Sequence, residues 1–149
     1  MSAQEMTISE AEWRVMRIVW SLGEVSSQQM ISYLSEETDW KPATIKTFLG
    51  RLVKKEYLAT TKEGNKYIYH ARISENEANK NVAHELASRI CARKMGRTIG
   101  QIIEAVTLSF DDIEKLEAIL EQKKKTAVEE VACNCLPDNC RCHERKEEE

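Results

Sequence analysis

Apolar residues in the first half of this chain recur with helical spacing and then switch to alternation. The run Trp13 to Leu22 follows Ser9-Glu-Ala-Glu12, a capping box whose hydroxyl and carboxylate can each satisfy a backbone amide. A first helix is predicted there, ended by Gly23. Ser26-Ser-Gln-Gln29 repeats the cap and opens a short second helix to about Leu34. Pro42, which has no amide hydrogen to leave unpaired in a first turn, starts a third. In that helix Ile45, Phe48, Leu49, Leu52 and Val53 share one face. The opposite face is centred on Thr47 and Lys54, with Ala43, Gly50 and Arg51 beside them. After Tyr57 the period becomes two, so Leu58 to Thr61 and Tyr67 to Ala71 read as strands joined by a hairpin tip over residues 62–66.

Three helices followed by a two-stranded ribbon is the order of a winged helix. The rest of the chain reads as helical. Ser74-Glu-Asn-Glu77 is another capping box, and a long helix should run towards Lys94 with Ala78, Val82, Leu86 and Ile90 in a stripe. Gly96 and Gly100 punctuate it, Ile99 to Leu108 forms a shorter apolar helix, and Ser109-Phe-Asp-Asp112 caps the last. There Ile113, Leu116, Ile119 and Leu120 are expected to face inward. Periodicity is lost from Thr126 onward. The expected fold is mainly α with a small β-hairpin wing. A winged helix-turn-helix DNA-binding domain would span residues 1–73, a helical dimerisation domain 74–125 and a flexible cysteine-rich metal-binding tail 126–149. The three tryptophans, Trp13, Trp20 and Trp40, are assigned to packing. Three helices of this length make a thin layer alone, so Val82, Leu86, Ile90, Ile102, Ile103 and Val106 are assigned to a homodimer surface, with an intramolecular bundle as the competing reading.

Charge changes the picture. The chain of 149 residues is net −3, yet residues 41–72 hold eight bases against two acids. A local excess of six positive charges in an acidic protein is the footprint expected of a phosphate-binding surface. The third helix would then enter a major groove. Lys41, Thr44, Lys46 and Thr47 lie on its early turns, where base edges are read, and Arg51, Lys54 and Lys55 lie further along for phosphates. Lys62 and Lys66 at the wing tip would straddle the neighbouring backbone. A missing side chain at Gly50 would let the helix axis approach closely, at a cost of about 1 kcal/mol relative to alanine. No apolar run reaches the length of a membrane span, and a cytoplasmic location is expected. No acid–base pair or nucleophile constellation stands at recognisable spacing, so an enzyme is not expected.

Four of the five cysteines fall within ten residues, Cys133-Asn-Cys135-Leu-Pro-Asp-Asn-Cys140-Arg-Cys142. Each Cys-x-Cys pair can chelate one ion, and the turn-forming Leu136-Pro137-Asp138-Asn139 would fold the second pair onto the first. Four thiolates could hold zinc tetrahedrally, while an all-thiolate, low-coordinate set suits copper(I), and exchange between the two would make a switch. A disulfide redox sensor and a metal buffer or delivery protein are the competing readings. Cys91, beside an apolar stripe, is read as a buried small hydrophobe. His70, His84 and His143 are not assigned as ligands.

The start Ser9-Glu-Ala-Glu-Trp13-Arg-Val-Met, the reader Lys41-Pro-Ala-Thr-Ile-Lys-Thr-Phe-Leu-Gly-Arg-Leu and the Cys-x-Cys-x₄-Cys-x-Cys tail together resemble the copper-responsive branch of the penicillinase repressor (BlaI/MecI) family. The resemblance covers residues 5–125, with the tail marking the copper branch. It implies a homodimer on a palindromic operator with a TACA…TGTA core upstream of copper-homeostasis genes. It also implies that the zinc form binds DNA and that copper(I) displaces zinc at Cys133, Cys135, Cys140 and Cys142 to release it. A copper chaperone is a further candidate partner. Other members of the family are inactivated instead by proteolysis in the dimerisation region.

Overall fold

In the computed structural model, which describes residues 7–135, the serine caps form, those at Ser26 and Ser109 as full capping boxes. Ser9 Oγ accepts the Glu12 amide (3.1 Å) and starts α1 (Glu10–Leu22). The helix ends at Gly23, whose φ of +82° suits a residue without a Cβ and aims its amide at the Val19 carbonyl, 2.7 Å away. A three-residue strand, β1 (Glu24–Ser26), leads into α2 (Ser27–Glu37), where Ser26 and Gln29 cap each other's backbone amides. Then α3 (Pro42–Lys54) follows with Pro42 in its first turn. The hairpin of β2 (Leu58–Glu63) and β3 (Lys66–Ala71) turns through Gly64 at φ +63°. The sheet order is β1-β3-β2, antiparallel throughout, with Val25 opposite Tyr69 and Thr60 opposite Tyr69 on the other side. This is a winged helix. Its third strand, β1, is an addition to the two expected from alternation.

The unit spanning Met1–Ala83 is organised around one core. Val15, Met16 and Val19 of α1, Met30 and Leu34 of α2, and Ile45, Leu49 and Leu52 of α3 are all buried, together with Val25, Tyr57 and Leu58. Ala78, in the first turns of α4 (Glu75–Arg89), closes it. The tryptophans pack at its margin, as expected. Trp13 and Trp20 meet edge to face at 5.4 Å, and the Trp20 indole donates to the Ile73 carbonyl at 3.0 Å. One charged side chain is taken inside. Glu12 is 2% exposed, and both its oxygens accept from Lys55 Nζ, at 3.0 and 2.9 Å. The pair joins the first turn of α1 to the residue that ends α3.

The second unit, His84–Glu149, differs from expectation in its breaks. α4 stops at Arg89 rather than continuing towards Lys94, because Cys91 is extended (φ −52°, ψ 129°). A single 3₁₀ turn, Ala92–Lys94, then leads into α5 (Met95–Ala105), which contains Gly96 and Gly100 instead of being separated by them. α6 (Phe110–Lys123) begins at the Ser109 cap. No residue of α5 or α6 is buried. Ile113, Ile119 and Leu120 are 41%, 61% and 57% exposed and Leu116 is half-buried, so the described residues cover the inward face expected of α6 only in part. Among the described residues no helix is long and apolar enough to cross a membrane.

Removing Lys55 strands a buried carboxylate, so Lys55→Ala should lower the unfolding free energy by about 3 kcal/mol. Adding Glu12→Gln should recover part of that loss, because no buried charge is then left unpaired. Urea unfolding of the two variants measures both. At α6, hydrogen bonds from the Ser109 backbone and side chain hold the Asp112 carboxyl below its ordinary value. That contribution is complete above the unfolded carboxylate value and is lost as pH falls through the lower, folded one. The start of α6 should therefore be unchanged from neutral pH down to about pH 4 and fray below it, as followed by backbone chemical shifts.

Candidate nucleic-acid interface and thiol cluster

Burial of Ile45, Leu49 and Leu52 determines which side of α3 faces water. On that side Lys46, Thr47, Gly50, Arg51 and Lys54 are all exposed, Lys41 is exposed at the N-cap, and Thr44 is half-buried. Thr47 Oγ1 donates to the Ala43 carbonyl at 3.0 Å. Its hydroxyl hydrogen is thus engaged within the helix, and its methyl and oxygen lone pairs are what it can offer a base edge. A Cβ built at Gly50 meets no heavy atom within 4 Å, so the notch in the basic face is open. Lys55 is placed differently from its neighbours, with its ammonium on buried Glu12.

The wing adds Lys62 and Lys66, both exposed, with the Lys62 ammonium 5.8 Å above the Tyr67 ring. Between the start of α2, the reader helix and this hairpin lies a groove of about 500 Å³, lined by Ser26, Ser27, Gln28, Ile31, Lys46, Asn65, Lys66, Tyr67 and Tyr69. Burial pushes the Tyr69 phenol upward, opposed by its hydrogen bond with Thr60. It stays a neutral hydroxyl at neutral pH. Sequence reasoning assigned no role to Tyr67 or Tyr69. The available signal was their alternation beside Lys66, which puts them on a strand bordering the reader. Hydroxyls, amides and ammonium groups around one groove make a surface for phosphate oxygens and base edges.

In the second unit, the tail returns to the junction between α4 and α5. Cys91 Sγ lies 3.7 Å from Cys133 Sγ, and Cys135 completes a trio whose sulfurs are all within 4.8 Å of one another. All three are half-buried. The Cys135 amide points at Cys133 Sγ at 3.3 Å. Two further contacts hold the segments together: the Ala92 amide donates to Asn134 Oδ1 at 2.8 Å, and Arg93 pairs with Glu130. Cys91 is thus not the buried small hydrophobe expected from its place beside the stripe. The chain leaves the helix at Cys91, which takes the thiol off the apolar face. Cys140 and Cys142 lie outside the described residues. The donor set fits a soft metal: zinc–thiolate bonds of about 2.3 Å in a tetrahedron put sulfurs about 3.8 Å apart, close to the 3.7 Å seen here.

The residues assigned to a dimer surface are all partly exposed. Val82, Leu86, Ile102, Ile103 and Val106 retain between 38% and 49% of their surface, and Ile90 is half-buried.

The penicillinase repressor family model matches residues 8–122. The chain is 32% identical to the penicillinase repressor of Bacillus licheniformis over 117 residues, covering 78% of this chain and 91% of that protein. It is 46% identical over 139 residues to the uncharacterized 16.5 kDa protein in the ptsI 3′ region of Latilactobacillus sakei, covering 93% of this chain and 95% of the relative. Among solved structures, that of the CopR repressor is 47% identical over 46% of this chain and 99% of its own, with a TM-score of 0.40.

Proposed function

The chain belongs to the penicillinase repressor family, whose members are DNA-binding transcriptional repressors and not enzymes, and we propose that within it this protein is a metal-responsive, cytoplasmic repressor of copper-homeostasis genes, of the CopY type. The observation that carries this reading is the gathering of the tail thiols Cys133 and Cys135 with Cys91 within 4.8 Å in a chain whose other half is a DNA-binding fold. Lys41, Thr44, Lys46 and Thr47 read base edges. Arg51, Lys54, Lys62 and Lys66 neutralise phosphates, with Lys55 contributing mainly by holding the reader in place through Glu12.

Two copies bind a palindromic operator, joined through the stripe of Val82, Leu86, Ile90, Ile102, Ile103 and Val106. The absence of any buried residue in α5 and α6 supports a second copy as the cover. The tail cysteines Cys133, Cys135, Cys140 and Cys142 hold zinc in the DNA-binding form, and copper(I), preferred by thiolates in low coordination, displaces it. Metal affinity alone changes nothing; the two metal states must differ in their affinity for DNA. A coupling of about 1–3 kcal/mol gives a 5–150-fold change.

Operator binding titrated with zinc, copper(I) and a chelator at constant ionic strength tests the whole reading. Zinc should support binding, and copper(I) alone should release the DNA. Binding that ignores both metals would favour a metal buffer, and release by oxidant in the absence of metal would favour a thiol redox repressor. The reader assignment has its own test. Gly50→Ala should raise the stability of the free protein by up to about 1 kcal/mol while weakening operator binding at least tenfold, because the methyl fills the notch that the duplex needs. Calorimetry and gel-shift titration on the same variant separate the two effects.

A further inference from the structure

We propose that Cys91 is itself a metal ligand, so that the ion ties the end of α4 to the tail. This rests on the metal-responsive reading above and gives it a route towards the DNA. Three observations carry it. The Cys91 sulfur already lies 3.7 Å from that of Cys133, the separation of two thiolates on one ion, and within 4.8 Å of that of Cys135. The contacts of the two residues that follow it, Ala92 to Asn134 and Arg93 to Glu130, align this turn with the stretch from Glu130 to Asn134. Finally, the backbone leaves the helix at Cys91, where a continuing helix would have kept the side chain on the apolar stripe.

Cys91, Cys133 and Cys135 make a three-thiolate set, which satisfies copper(I) directly. Zinc, which takes four ligands, needs one more than these three. The consequence is mechanical. α4 has Ala78 of its first turns buried in the core of the first unit and ends two residues before Cys91. A metal that changes its ligand count acts on the far end of a helix rooted in the DNA-binding domain. An ion held by the tail alone would have no such handle.

The test uses the full-length protein. Thiol alkylation followed by peptide mapping, in metal-free, zinc-loaded and copper(I)-loaded samples, should show Cys91 becoming protected in step with Cys133 and Cys135, with at least a tenfold fall in its rate. Protection of the tail cysteines with no change at Cys91 overturns the proposal and leaves the proposed function standing. Protection of none of the cysteines by either metal overturns both. In parallel, the operator affinities of zinc-loaded and copper(I)-loaded Cys91→Ser should differ by less than twofold. A Cys91→Ser protein that releases DNA as the wild type does would also reject the proposal.

Discussion

The Glu12 carboxylate is held out of water beneath the end of the reader helix, and the arrangement of the DNA-binding half depends on how it is satisfied. Apolar contacts in the surrounding core are non-directional. Ile45, Leu49 and Leu52 would bury similar area if α3 rotated slightly about its axis. The two bonds from Lys55 Nζ to Glu12 admit no such freedom. Glu12 is also the third residue of α1, its amide bound to Ser9 Oγ and its carboxylate accepting from the same hydroxyl at 3.0 Å. One side chain thus caps one helix and indexes another. The other buried polar residue among the described ones, Ser26, is likewise a helix cap. Polar groups enter this core only where a helix start needs them.

The second half follows the opposite logic. Apolar area contributes roughly 25 cal/mol per Å² when removed from water, and Ile102, Ile103, Ile113, Ile119 and Leu120 of α5 and α6 keep between 38% and 61% of theirs exposed. Phe110 is 91% exposed at the very start of α6. A segment built this way has helices specified by local signals, namely the Ser109 box and the i,i+4 pair of Asp111 and Lys115. With a second copy over that face, as proposed above, its stability would rise with protein concentration.

Legibility in the sequence divided along the same physical line. Helix starts were readable because a serine three residues before Glu, Gln or Asp is a local chemical device: Ser9, Ser26 and Ser109 all cap their helices, the last two as full boxes. The amphipathic period of α3 marked its buried face for the same reason. What could not be read was set by distant partners. β1 is a strand only because it pairs with β3, some forty residues away, and its three residues carry no period of their own. Lys55 looked like one more base on a basic stretch, since nothing local announces a carboxylate 43 positions earlier. Cys91 has the neighbours of a core residue, and its separation of 42 positions from Cys133 hides the association.

That separation has an entropic side. Bringing the ends of a flexible segment of this length together costs about 3 kcal/mol, a term that an ion capturing two distant thiols would ordinarily have to overcome. Here the Arg93–Glu130 pair and the Ala92–Asn134 hydrogen bond already close the segment. A metal ion bound there, as proposed, would meet preassembled thiols, and more of its intrinsic preference for ligand number and softness would remain to be expressed as selectivity. Discrimination between two thiophilic metals, on this view, begins with an arginine and an asparagine that touch neither.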